Sequence, residues 1–271
     1  HDDAQAAFRR AIRIEPTFAV AYYRLGLSYH RQLAHAGAAE AYKQALRYAP
    51  DVAEIHAQLA EAYVALDRWE QAMQAYEEAF RRDPAGELDR RGGLECLQRL
   101  DFDTLPPFWF TEILRFFQRE DVDRKPYVAL ALKVLATRPS FRSALQTGEA
   151  APGTLREIET DPLFQVLLRD CLLPNPRFER LLTRLRARML ADAALRASVS
   201  LDFLAALALQ CFINEYVYAE STEEATRIAA LQADVESRLA PDAPPDDATV
   251  RAAVMLAAYR PLHRIAGAER L

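Results

Sequence analysis

Small, aromatic and proline positions recur early in the chain in two successive steps of 34 residues. Tyr22, Leu25, Gly26, Tyr29, Ala38, Tyr42, Ala45 and Pro50 are matched one step later by His56, Leu59, Ala60, Tyr63, Ala72, Tyr76, Ala79 and Pro84. Within each step most apolar positions fall three or four apart, the spacing that lines one face of an α-helix, and the two runs per step predict a pair of helices. Gly26, Ala60, Ala38 and Ala72 lack bulk where paired helices cross, and the aromatic residues fill the wider gaps. Pro50 and Pro84 end the second helix of each pair, because proline disfavours helical geometry in the residue before it and has no N–H to donate. Counting back by the same period puts Ala4, Phe8, Ala11 and Pro16 on the second helix of a preceding pair, so the chain is expected to open inside a repeat. The pattern predicts a repeat domain over residues 1–100, made of a half repeat at 1–18, repeats at 19–52 and 53–86, and a degenerate capping helix at 87–100. Gly92 and Gly93 weaken that last helix, and Leu94, Leu97 and Leu100 supply its apolar stripe.

Beyond Leu100 the 34-residue step stops while helical spacing continues. A turn-rich link from Asp101 to Pro107 leads to an aromatic helix, 108–119, carrying Phe108, Trp109, Ile113, Leu114, Phe116 and Phe117. Further helices are predicted at 126–137, 140–145, 155–159, 162–172, 175–190, 200–219, 222–239 and 248–259. A loop at 147–153 and an exposed proline- and aspartate-rich link at 240–247 separate some of them, and 260–271 reads as irregular. The predicted fold class is all-α: helical-hairpin repeats followed by a non-repeat helical bundle at 101–271. Only 8 glycines in 271 residues, against abundant alanine and leucine, point the same way.

The 34-residue grammar resembles the tetratricopeptide repeat, whose pattern runs W-x2-L-G-x2-Y, then A-x3-F, then A and P. Members of that family bind partners on a concave face lined by the second, fifth, ninth and twelfth positions of each first helix. Carried onto this chain, the resemblance assigns that face to Val20, Tyr23, Leu27 and His30, then Glu54, Ala57, Glu61 and Val64. It implies a groove with an aromatic-aliphatic wall beside an acidic one, suited to a protein or peptide segment with apolar and basic side chains. The alternative is that the second half of the chain folds back and fills the groove. One use of the fold grips a chaperone's C-terminal carboxylate with lysine and asparagine; here the matching places hold Tyr23, Leu27 and Glu54, which cannot make those charge-assisted bonds.

Charge and chemistry narrow the function classes further. A formal net charge of -5 recruits neither nucleic acid nor an anionic membrane, and the longest apolar run, Phe203 to Val217, is too short and too polar to span a bilayer. Lys43, Lys125 and Lys133 are the lysines among 34 basic residues, an arginine bias that suits a GC-rich bacterial genome. Cys96, Cys171 and Cys211, widely separated and without a C-x-x-C pair, read as reduced buried thiols of a cytoplasmic protein. His30 and His35 lie five apart, off the spacing that puts two ligands on one helix face, so no metal is expected. Glu223-Glu224 and Asp246-Asp247 read as solvated helix starts. Gln210 and Asn214 share one face of an apolar helix with Glu215 and Tyr216 beside them, either a polar site or buried amides bonded to neighbouring backbone. No glycine-rich phosphate loop and no G-x-S-x-G is present, so neither a catalytic constellation nor a cofactor site is expected in this chain.

Three phrases of the second half resemble a group of bacterial fusion proteins: Leu105-Pro-Pro-Phe-Trp-Phe-Thr, Gln210-Cys-Phe-Ile-Asn-Glu-Tyr-Val-Tyr, and Tyr259-Arg-Pro-Leu-His-Arg-Ile-Ala-Gly-Ala-Glu-Arg-Leu. In that group tetratricopeptide repeats and a helical region precede a class I S-adenosylmethionine-dependent methyltransferase domain. The resemblance implies that this chain is the non-catalytic, substrate-recruiting front part of such an enzyme, with S-adenosylmethionine bound elsewhere in the parent protein. A free-standing scaffold or adaptor with a helical extension is the alternative.

Overall fold

The computed structural model describes residues 2–83, 88–214, 220–239 and 244–268, and it is all-α, with no strand among the described residues. Two compact units result, His1–Ile113 and Leu114–Leu271. No helix among the described residues is long and apolar enough to cross a membrane.

The first unit contains α1 (Asp2–Ile14), α2 (Ala19–Arg31), α3 (His35–Tyr48), α4 (Ala53–Val64), α5 (Trp69–Arg81), α6 (Arg91–Arg99) and the first half of α7 (Pro107–Gln118). From α1 to α6 each helix packs on the next, as the repeat spacing requires. Small residues set the approach: Ala38, Ala45, Ala60, Ala72 and Ala79 are all 0% exposed. At Gly26 a Cβ would lie 2.5 Å from the Tyr42 ring, so only a hydrogen fits between α2 and α3. Each first helix also ties itself to the proline carbonyl six residues before its fourth position. Tyr22 donates to Pro16 at 3.2 Å, and the equivalent His56 donates through Nε2 to Pro50 at 2.7 Å.

The turns within the two pairs repeat as faithfully. Leu33 (φ 59) and Asp67 (φ 56), one period apart, adopt the left-handed conformation. Behind them Ala34 N–H donates to Tyr29 (3.0 Å) and Arg68 N–H to Tyr63 (2.9 Å), closing a helix C-terminus in the way glycine usually allows. Asp67 tolerates this backbone better than Leu33, whose exposed side chain gains no packing in return.

Two expectations are corrected here. The capping helix is Arg91–Arg99, shorter than 87–100, with Pro84 and Glu87 outside the described residues. Its glycines are points of close approach more than weak spots, since a Cβ on Gly93 would meet Phe80 at 2.8 Å and Trp109 at 3.0 Å. The first unit also runs to Ile113, beyond the link expected to end it. Trp109 is wholly buried against Phe80, with ring centres 6.0 Å apart. Buried Arg90 then binds Glu112 (3.1 Å) and Asp83 (2.6 Å) while lying over Phe80. An aromatic helix beside an open repeat end buries its large rings there.

The second unit continues through a short turn, Lys125–Tyr127, into α8 (Val128–Thr137), α9 (Pro139–Thr147), α10 (Pro152–Glu159), α11 (Pro162–Asp170) and α12 (Pro176–Ala191). Then come α13 (Ala193–Ser198), α14 (Leu201–Ile213), α15 (Thr222–Arg238) and α16 (Asp247–Ala257). Helix starts are written in the sequence: Asp161, Asn175, Asp192, Ser200 and Asp246 cap first turns with their side chains, and Ser221 with Glu224 forms a capping box. The acidic pairs at 223–224 and 246–247 sit at helix starts. Helix α13 was not anticipated, since it buries none of its residues and so carries no apolar stripe. α14 ends at Ile213, with 215–219 outside the described residues. It packs against α11 and α16, and Phe141, Phe164 and Phe178 form a second buried cluster.

Gly26→Leu is expected to lower stability by about 1–3 kcal/mol, because the added bulk must displace the Tyr42 ring. An unchanged thermal midpoint would show the helix register to be wrong. Leu33→Gly should act in the opposite direction, raising stability by about 0.5–1 kcal/mol through relief of left-handed strain at an exposed site. A lower urea midpoint for Leu33→Gly would contradict that turn geometry.

Candidate protein-interaction face

The face assigned to partner binding is built from α2 and α4. Val20 is 53% exposed, Glu54 and Glu61 are exposed, and Tyr23, Leu27, His30 and Val64 are half-buried. Ala57, placed on the same face from its position, is instead buried at 8% exposure, so it serves as packing floor. The Tyr23 hydroxyl donates to the Glu54 carboxylate, and its ring leans on Tyr42 at 6.0 Å. Tyr42 donates in turn to Gln58 at 3.5 Å, which also hydrogen-bonds Glu61. The structure therefore brings Tyr23, Glu54 and Glu61 together and adds Tyr42 and Gln58. The sequence hid these two: Tyr42 was fully used as a packing residue, and Gln58 sits between groove positions.

Carboxylates outweigh cations at the phenols of this face, although Arg24 acts on Tyr23 and Arg31 on Tyr42 in the opposite direction. Partial burial and then the neighbouring Glu54 charge hold the Glu61 carboxyl above its usual range, although the side chain keeps solvent access. Burial and the same carboxylates push the phenols of Tyr23 and Tyr42 upward. Two carboxylates on one face of α4, close enough for Glu54 to raise Glu61, favour a positively charged visitor.

His30 lies at the end of this face, and the structure brings it against His35. The two rings meet edge to face, centres 5.1 Å apart and planes at 88°. Burial, then the His35 charge, lowers the His30 pKa.

The polar residues of α14 have a different task. Gln210 is 0% exposed, and its amide donates to the carbonyls of Leu168 (3.1 Å) and Cys171 (3.0 Å) at the end of α11 while accepting from Asn214 (3.1 Å). Its bonding capacity is consumed in closing a neighbouring helix. Glu215 and Tyr216, read from the sequence as part of this cluster, lie outside the described residues.

Arg186 is the residue that sequence reasoning missed. It is 1% exposed, with its guanidinium 4.1 Å from the Tyr259 ring centre, 3.9 Å from Glu224 and hydrogen-bonded to Cys211. Tyr259 completes the group by donating to Glu224 at 2.9 Å. The available signal was its place among Leu182, Leu185 and Met189, an arginine on an apolar stripe. A cation from another helix thus lies beside Cys211. Burial still dominates and pushes that thiol up to about 11, and Cys96 up to about 12, where a nucleophilic thiolate is scarce.

A cleft of about 400 Å³ lies between the starts of α9 and α11, lined by Arg138, Ser140, Glu157, Thr160 and Asp161 among others. Of its two acids, Asp161 is already engaged: it accepts from Leu163 and Phe164 N–H, each at 3.0 Å, and pairs with Arg138 at 2.5 Å. Among the described residues no group of three or more His, Cys, Asp or Glu side chains is arranged to hold a metal ion.

Compared with known families, residues 30–89 match a tetratricopeptide repeat model. That span contains the groove residues His30, Glu54 and Glu61 and the α3–α5 packing described above. The fold is accordingly an all-α helical-repeat fold with tetratricopeptide repeats, which as a class are protein–protein interaction modules. No curated protein matches the chain.

Protonation should weaken the fold through His30. A group whose pKa is lower folded than unfolded gives stability that is complete above the ordinary histidine range and lost as pH falls through the lowered value. The urea midpoint of the parent chain should fall more steeply from about pH 7.5 to about 5.5 than that of His30→Gln. Parallel slopes would remove His30 as the source.

Proposed function

We propose that this chain is a protein-interaction module whose α2–α4 face takes an extended or helical segment bearing apolar and basic side chains. The observation that carries this reading is the pair Glu54 and Glu61, both exposed on one face of α4, beside the exposed Val20 and the half-buried Leu27. A lysine or arginine of a partner entering between the carboxylates would relieve their repulsion, while its apolar neighbours would cover Val20 and Leu27. The three phrases of the second half support a finer reading, in which the module recruits substrate for a class I methyltransferase domain. Cofactor binding would then belong to that domain and to no residue of this chain. A scaffold or adaptor role uses the same face without that domain.

Charge is the property to test. A synthetic helical peptide alternating leucine with lysine and arginine should bind more tightly than its glutamate counterpart, and the preference should shrink as salt rises. In the Glu54→Gln/Glu61→Gln double variant the preference should fall by about an order of magnitude, one charge-assisted contact, with the thermal midpoint unchanged or slightly raised. Equal binding of the acidic peptide, or an unaffected double variant, would overturn the assignment. Calorimetric titration with S-adenosylmethionine should give no binding heat; a micromolar dissociation constant would place a cofactor site in this chain.

A further inference from the structure

The longest helix of the second unit, α15, rests on few apolar contacts where it packs on α12 and α16. Of its 17 residues Ile228 and Val235 are buried, against seven of 13 in α14, and Leu239 follows just past its end. Resistance to local opening rises with the apolar surface an element buries, so α15 detaches more readily than α14. Toward its C-terminal end the remaining ties are polar: Gln232 donates to the Arg264 carbonyl at 3.4 Å, and Ala266 N–H donates to Glu236 at 3.1 Å.

At the N-terminal end the tie is of another kind. Glu224 accepts from the Tyr259 hydroxyl at 2.9 Å and faces Arg186 at 3.9 Å, while its other oxygen closes the capping box on Ser221 N–H at 2.8 Å. Arg186, from α12, lies over the Tyr259 ring just past the end of α16 and reaches the Ala258 carbonyl at 3.5 Å. Neither Arg186 nor Tyr259 belongs to α15; together they form a cationic pocket, floored by an aromatic ring, that a carboxylate of α15 fills. Detachment of α15 takes that carboxylate away and leaves the guanidinium facing the vacated groove, where a negatively charged group is the complementary occupant. We infer that α15 is a detachable strap, and that the groove it covers takes an acidic amphipathic helix of a partner in its place. The present occupant defines what fits: a carboxylate for Arg186 and Tyr259, then aliphatic side chains at the places of Ile228 and Val235 on the same helix face. This groove lies in the second unit and prefers the opposite charge from the α2–α4 face, so it stands whether or not that face binds basic peptides.

Hydrogen exchange of the whole chain, read by mass spectrometry, tests the strap. Amides of α15 should exchange at least about tenfold faster than those of α14. Glu224→Gln keeps the capping box, which accepts glutamine as well as glutamate, but removes the charge facing Arg186. It should speed exchange in α15 by about a further tenfold and leave α11 and α14 unchanged. A synthetic peptide of residues 221–239 tests the groove. It should bind the Ile228→Glu variant, whose own α15 is barred from docking, about tenfold more tightly than the same peptide carrying Glu224→Gln. Equal protection of α15 and α14, or a Glu224→Gln effect spread evenly over the unit, would overturn the strap. No peptide binding, or equal binding of the two peptides, would overturn the acidic partner. A loss of helical circular dichroism in Ile228→Glu beyond what α15 accounts for would make α15 part of the core and overturn both.

Discussion

Each helix ends in a turn of carbonyls that has no partner within the helix, and a fold with sixteen α-helices among its described residues meets that constraint at every connection. In the second unit the answer is arginine. Arg184 donates to Thr147 at the end of α9, Arg196 to Met189 in the last turn of α12, and Arg251 to Val199 after α13. Arg142 does the same for Thr137, and the Gln210 amide closes α11. A guanidinium presents several donors in a rigid plane, so one side chain can close a carbonyl and hold a carboxylate at once, as Arg251 does with Val199 and Asp247. A lysine ammonium lacks that fork, which gives the arginine bias of the sequence a structural use.

The repeat unit solves a different problem. Its helices run in register, so equivalent residues meet equivalent partners and the turns at Leu33 and Asp67 adopt the same backbone. Close approach at Gly26 and at the buried alanines fixes the spacing, and the aromatic residues lock it. What packing does not consume is left on one face. Val20, Glu54 and Glu61 remain accessible there because no core position requires them, and function can be placed on that face without disturbing the stack.

Two buried arginines mark where non-repeating structure is pinned. Arg90 joins Asp83 and Glu112 at the end of the repeats, and Arg186 joins Glu224, Tyr259 and Cys211 inside the second unit. A buried ion pair gives little net stability, but removing one partner strands the other charge, so such groups favour one arrangement of helices over near alternatives.

Sequence alone determined the all-α class, the repeat register and most helix starts. These depend on short-range rules: three-and-four spacing, small residues one period apart, and capping side chains such as Asp161 and Ser221. It also put Glu54 and Glu61 on one face of α4, since a first-helix position faces the same way in every repeat. Other features required the folded chain. The first unit reaches Ile113 because Trp109 and Glu112 find partners at Phe80 and Arg90, contacts between segments that no local spacing links. Arg186 and Gln210 gained their roles from carbonyls and carboxylates on other helices, and His30 met His35 only because the turn between them reverses the chain. Spacing along one helix predicts which residues share a face, whereas contact across a turn or between helices is fixed by packing geometry, and there the tertiary structure decided.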